Sequence, residues 1–148
     1  MIRRRHLHEQ EIPQGLQIYE DWVQVAGVGF RKQEAAAFAR SKNLWLELER
    51  EPTNKYDENA IKVIGCSRGF FGTKRRHIGY VPEDLAKMIA EGNFTVQPRL
   101  KYTSVGESGF VEIEFQILGP KGQKHEFTTA CERRGRTLES TKRRTQGE

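Results

Sequence analysis

The feature that most constrains this chain is the stretch at residues 50–63, Arg-Glu-Pro-Thr-Asn-Lys-Tyr-Asp-Glu-Asn-Ala-Ile-Lys-Val. Residues 44–49 before it alternate, with Leu44, Leu46 and Leu48 on one face and Trp45, Glu47 and Glu49 on the other, the period of a half-buried strand. After it the chain re-enters an apolar run at Ala60, with Ile61 and Val63 on one face. Between the runs sit Pro52, Asn54, Asp57 and Asn59. Proline fixes φ, while Asn and Asp bond their own nearby backbone and tolerate left-handed conformations. This dictates a strand, an ordered polar loop and a second strand. The loop also places an aromatic, Tyr56, beside a carboxylate, Asp57. Turn formation requires neither a ring nor a second acid at those positions.

The remaining pattern surrounds this unit with further short elements. Residues 1–14 read as a flexible basic tail carrying Arg3, Arg4 and Arg5. Residues 16–19 suggest a short edge strand, and residues 22–29 a β-branched strand whose end carries Gly27 and Gly29 before Phe30 leaves at the rim. The alanine-rich residues 33–41 predict a short helix with Ala35 and Phe38 inward. Residues 65–76 read as a glycine-punctuated hairpin loop with exposed Phe70 and Phe71 and a basic end, Lys74, Arg75 and Arg76. A returning strand follows at 77–81. Pro82 then opens a helix with Glu83 and Asp84 at its positive end, Leu85, Met88 and Ile89 as its apolar stripe and Gly92 as its stop.

Residues 96–103 and 110–118 alternate as a long hairpin, on which Arg99 and Lys101 are expected to pair with Glu112 and Glu114 at about 0.2–1 kcal/mol each. The expected domain spans residues 15–120, with 121–130 running along it and 121–148 forming a basic, largely disordered extension. Many short strands with two helices point to a mainly β (α+β) fold, a small antiparallel OB-like barrel of about six strands with two flanking helices.

A chain of 148 residues supports one core. No apolar run approaches the length of a membrane span, and the basic start lacks the apolar core of a secretory signal, so an intracellular protein is expected, cytoplasmic if prokaryotic. The net charge of +5 and pI near 9.4 suit an anionic partner. Cys66 and Cys131 stand far apart without paired ligand spacing, so they read as ordinary thiols rather than a zinc site. The four histidines have no evident nucleophile beside them, and no carboxylates cluster as a metal site. No enzyme activity, cofactor, metal, membrane contact or small-molecule substrate is expected.

Residues 51–63 resemble the signature of the HIRAN domain family: an acidic residue and Pro, then Asn, a spacer, Tyr-Asp, a spacer, Asn-Ala-Ile, a spacer and Val. Two flanking segments are similar to the family as well. Residues 25–30 resemble its opening strand ending in an aromatic, and Ile78-Gly79-Tyr80-Val81-Pro82 with Leu85, Ala86 and Ile89 resembles its Gly-x-Ile/Val-Pro strand and following helix. The likeness is strong over residues 23–92 and weak over the final hairpin.

The resemblance implies a small barrel related to oligonucleotide-binding barrels. In eukaryotic fork-remodelling translocases such a domain holds the free 3′ end of single-stranded DNA: aromatics stack on the terminal bases and a loop carboxylate receives the 3′-hydroxyl. Carried to this sequence, Tyr56 and Asp57 are the end-binding pair, Phe30 a stacking aromatic, and Tyr80 stands where those relatives carry a polar ring. Arg31, Lys74, Arg75 and Arg76 are the candidate phosphate contacts, while Pro52, Asn54 and Asn59 are loop staples. The sequence departs from those relatives at Glu83 and Asp84, where they carry basic residues, and it contains no Walker-type glycine loop. The expected function is recognition of single-stranded DNA ends in DNA repair, replication or processing. The alternative is an adaptor that recruits a helicase or nuclease.

Overall fold

The computed structural model describes residues 1–133. The described residues build two antiparallel sheets and three α-helices. The larger sheet has the order β1-β6-β7-β2, from β1 (Ile2–Arg5), β2 (Leu16–Gln24), β6 (Gln97–Val105) and β7 (Val111–Pro120). The smaller has the order β3-β4-β5, from β3 (Leu44–Arg50), β4 (Ile61–Gly69) and β5 (Gly72–Tyr80). Helices α1 (Lys32–Arg40), α2 (Glu83–Glu91) and α3 (Lys124–Arg133) complete the described fold. The mainly β class holds. Among the described residues the barrel is not closed: they form seven strands in two sheets, with a third helix.

The sheets are joined at one corner by a bridge outside the regular ladders. Ala26 and Tyr80 exchange both backbone hydrogen bonds there, each 2.8 Å. Next to Tyr80, Gly79 is forced to be glycine by this join: an added β-carbon would collide with the Ala26 carbonyl oxygen and lie 2.6 Å from Val25 Cγ1. The core lies inside this corner. Leu44, Leu46, Ile61, Val63 and Ile78 from the small sheet and Leu100, Ile113, Phe115 and Ile117 from the large one are all buried. Helix α1 contributes Ala35, Ala36, Phe38 and Ala39. Alanine gives this helix both its propensity and a thin buried face, so Phe38 lies directly over Gly65, where any β-carbon would be 2.7 Å from the ring.

Several sequence expectations are corrected. Residues 1–14 are not a featureless tail, because residues 2–5 pair with residues 102–105 as β1. One arginine side chain, that of Arg4, has long-range partners there. Arg4 donates to the Ala39 carbonyl and, at 2.7 Å, to that of Ser41, satisfying carbonyls at the α1 C-terminus. His6 is buried against Thr103 Oγ1 at 2.8 Å. The strands expected at 16–19 and 22–29 are one continuous β2 that ends at Gln24, after which Gly27 turns left-handed (φ 75°) into a 3-10 turn at Val28–Phe30. The expected hairpin forms, but its loop is not 65–76: the β4–β5 ladder runs out to Gly69 and Gly72 and is closed by a two-residue turn at Phe70 and Phe71. Pro82 stands just before the first turn of α2, and the left-handed residue at that helix's end is Asn93 (φ 52°) rather than Gly92.

The expected charge pairs on the β6–β7 hairpin do not form as written. A bulge between Leu100 and Tyr102 sets Tyr102 opposite Glu114 and Ser104 opposite Glu112. Lys101 instead meets Asp21 at 3.4 Å, and Arg99 donates to Gln116, Gln10 and Leu7, which ties the N-terminal segment to the sheet. Residues 124–133 form α3, whose Phe127 is buried between Tyr19 and Phe94 at ring-centroid distances of 5.1 and 5.3 Å. The expectation of disorder beyond this helix falls outside the described residues.

Candidate functional site

The loop between β3 and β4 is held by its own polar side chains. Glu51 N–H donates to the Ala60 carbonyl at 2.9 Å, and Ala60 N–H to that of Asp57 at 3.1 Å, so the loop's two ends meet. Asn54 is the internal staple: its Oδ1 accepts the Tyr56 and Asp57 amides at 2.8 and 3.0 Å. Asp57 Oδ1 accepts the Asn59 amide at 2.9 Å, an Asx turn. With the backbone fixed in this way, the Tyr56 side chain is presented to solvent at 97% exposure.

The loop is anchored to β5 through Glu51. Its Oε1 accepts from Asn54 Nδ2 at 2.6 Å and from the Tyr80 hydroxyl at 3.0 Å, and its Oε2 lies 3.3 Å from Lys62 Nζ. The hydrogen bond from Asn54, and then those from Tyr80 and Lys62, hold the Glu51 carboxyl below its usual range. Tyr80 packs edge-to-face on His77, with ring centroids 4.8 Å apart, and His77 Nε2 lies 2.9 Å from the Gly79 carbonyl. Burial, reinforced by the nearby Arg31 charge, pushes the His77 pKa down.

On the other side of Tyr80 is the Gly27 turn. Phe30 N–H donates to the Gly27 carbonyl at 3.0 Å and Arg31 N–H to that of Val28 at 3.0 Å, while the Arg31 carbonyl accepts the Ala35 amide at the start of α1. The Phe30 ring is 97% exposed. Behind this turn lies an open recess of about 460 Å³, lined by Val28, Lys32 and the β6–β7 turn with its half-exposed Phe110.

The structure therefore connects most of the candidate residues and separates others. Tyr56 and Asp57 reach Tyr80 through Asn54 and Glu51, and the Phe30–Arg31 turn reaches it through the Ala26 bridge. Lys74, Arg75 and Arg76 lie on strand β5 rather than in a loop, further along the hairpin from Tyr80. Arg75 is engaged by Glu47 and by Glu49 (3.8 Å), and Arg76 by Glu34 at 2.9 Å. The Arg75 guanidinium in turn lowers the Glu47 pKa. Lys74 is exposed and has no ion pair among the described residues.

Three contributors are absent from the sequence reading: Glu51, Lys62 and His77. Lys62 was legible as the outward residue between Ile61 and Val63. The ladder places it opposite both Glu49 and Tyr80. Glu51 and His77 carry no signal in sequence separation, because their roles depend on β5 folding back beside the loop.

Chemically, this corner offers exposed π-faces at Phe30 and Tyr56, cations at Arg31 and Lys62, and a half-buried carboxylate at Asp57 with one oxygen committed to the backbone. Cys66 lies buried beneath the same outer sheet face, and burial pushes its thiol up to about 11, so it is an inert part of the packing.

A profile of the HIRAN domain matches residues 23–106, more than half of the chain. The crystal structure of the HIRAN domain of human HLTF superposes with a TM-score of 0.51 at 18% identity, covering 86% of this chain and 98% of that one. An NMR structure of the HLTF HIRAN domain in its DNA-bound conformation gives a TM-score of 0.50 at 19% identity, covering 89% and 97%. No curated protein matches the chain significantly.

Proposed function

The chain belongs to the HIRAN domain family, and from that premise we propose that it is a nucleic-acid-binding module that recognises single-stranded DNA ends. The carrying observation is the pair of almost fully exposed rings, Phe30 and Tyr56, each mounted on a hydrogen-bonded turn, one linked to Tyr80 through Asn54 and Glu51 and the other following Ala26, the bridge partner of Tyr80. An exposed aromatic on a rigid support has little ordering entropy to lose when a base stacks on it, and such stacking is worth about 1–3 kcal/mol per base. Arg31 and Lys62 supply positive charge for the adjoining phosphates.

Asp57 gives the site its preference for an end. A carboxylate oxygen accepts from a terminal 3′-hydroxyl and repels a terminal phosphate. The DNA-bound conformation recorded for the HLTF domain supports the same ligand class here, on a shared fold. The proposed role is recognition of such ends in DNA processing, alongside a helicase or nuclease that supplies the chemistry.

The test is fluorescence anisotropy with labelled single strands bearing either a 3′-hydroxyl or a 3′-phosphate. Tighter binding of the hydroxyl end is expected, with the difference abolished by Asp57→Ala and both affinities weakened by Tyr56→Ala. Equal affinity for both ends, unchanged by Asp57→Ala, removes the end-recognition reading.

A further inference from the structure

The β4–β5 hairpin extends past the site just described and ends in a feature that the fold does not require. Phe70 and Phe71 form its two-residue turn, 96% and 98% exposed, with their rings edge-to-face at 5.1 Å. Turn chemistry explains the flanking glycines: Gly69 pairs with Gly72, and Gly72 takes the positive φ of 115°. It does not explain the phenylalanines, since two-residue hairpin turns favour Asn-Gly and similar pairs, and neither ring packs on a core.

The hairpin's own residues carry charge of one sign, while Glu9 and Glu11 of the N-terminal segment line the recess that Arg68 also lines. From Asn59 to Pro82 the sequence contains no Asp or Glu, while it carries Lys62, Arg68, Lys74, Arg75 and Arg76. Arg75 and Arg76 are matched by carboxylates from β3 and α1. The two cations nearest the tip are not. Arg68 lies over the Trp45 ring at 5.7 Å, and neither it nor Lys74 has a carboxylate partner among the described residues.

We propose that the Phe70–Phe71 tip is a second base-stacking contact for the same nucleic-acid strand, with Arg68 and Lys74 meeting its phosphates. The inference rests on the nucleic-acid reading above and extends it along the molecule. Exposed aromatic faces beside unmatched cations are the chemistry that single strands recognise without sequence preference. The tip is also continuous with the end site, because Phe71 and Tyr80 bracket the same strand, β5. Nine residues at about 3.3 Å each put them about 30 Å apart. A stacked strand advances about 3.4 Å per nucleotide, so a strand held at Tyr56 and Tyr80 reaches the tip after about nine nucleotides.

The experiment compares strands of about three and about sixteen nucleotides, both with a 3′-hydroxyl, the first too short to reach the tip. In the Phe70→Ser, Phe71→Ser double variant, affinity for the long strand is expected to fall about tenfold or more while affinity for the short strand stays unchanged. Lys74→Glu should weaken the long strand alone in the same way. A single Phe71→Trp variant adds a direct signal, since its emission should be quenched by the long strand and not by the short one.

Equal losses for both strands, or none for the long strand, overturn the inference while leaving the end site standing. If the unaltered protein binds neither strand, the underlying nucleic-acid reading fails as well. Sedimentation with phosphatidylserine vesicles is the competing outcome. Vesicle binding abolished by the double variant, with long-strand affinity intact, would assign the tip to membranes instead.

Discussion

Asn54 is the residue on which the presentation of Tyr56 and Asp57 depends, and Asn54→Ala tests that dependence. The substitution removes two acceptor contacts to the Tyr56 and Asp57 amides, at 2.8 and 3.0 Å, and the donor contact to Glu51 at 2.6 Å. Each ordinary hydrogen bond contributes a net ~1 kcal/mol, so a nominal loss is ~3 kcal/mol. The loop is partly exposed and water replaces some of what is lost, which brings the expected cost to about 1–2 kcal/mol. That corresponds to a fall in melting temperature of roughly 2–8 °C for a chain of this size.

Local exchange is the more specific assay. The Tyr56 and Asp57 amides should exchange about 5–30 times faster, and affinity for a single-stranded end should drop by no more than the same factor. Unchanged exchange at both amides would refute the staple assigned to Asn54. Asn54→Asp makes the complementary test, because it keeps the acceptor oxygen but sets a second carboxylate against Glu51 Oε1. That variant should be destabilised at neutral pH and recover as the pH falls and one of the two acids protonates.

Other expectations are simpler. Phe127→Ala should destabilise by about 3–5 kcal/mol in urea unfolding, because its ring is buried between Tyr19 and Phe94; a loss below about 1 kcal/mol would mean that α3 is not docked as described. Gly79→Ala should cost at least ~2 kcal/mol, since the β-carbon meets the Ala26 carbonyl at the join of the sheets, and a near-neutral result would contradict that geometry. His77 and His6 both have pKa values lowered by burial, assisted by Arg31 and Arg4 respectively. A folded pKa below the unfolded one contributes stability that is present above about 6.5 and lost as the pH falls through the folded value. Imidazole NMR titration should therefore place both below 6.5, and either one at or above it would reverse the sign.

Much of the fold was legible wherever a local pattern had a single reading. The alternation of Leu44 to Glu49, the alanine run of α1, the Pro82 helix start and the β6–β7 hairpin all appear close to their expected positions. The failures share a cause: they depend on partners distant in sequence. Arg3, Arg4 and Arg5 look like a solvated tail until β6 is beside them and the α1 carbonyls are within reach of Arg4. Glycines and cations at 65–76 argue for a loop by composition, but the ladder from Gly65–Arg76 out to Gly69–Gly72 keeps them in strands. Similarly, a single bulge beside Leu100 re-paired the charges of an otherwise correct hairpin. In the site, the turn chemistry of Asn54, Asp57 and Asn59 was readable because it is local, whereas Glu51 acquires its role only when Tyr80 and Lys62 come alongside.

The Ala26–Tyr80 bridge also gives the molecule an internal clock. Each of its amides is satisfied by a carbonyl from across the corner, so neither can exchange with solvent until the two layers separate there. Their exchange times therefore measure how often that corner opens, independently of fraying at the free edges β1 and β3. A ligand gripping both Phe30 and Tyr56 would straddle the same corner, and the slowing of these two protons would record its hold.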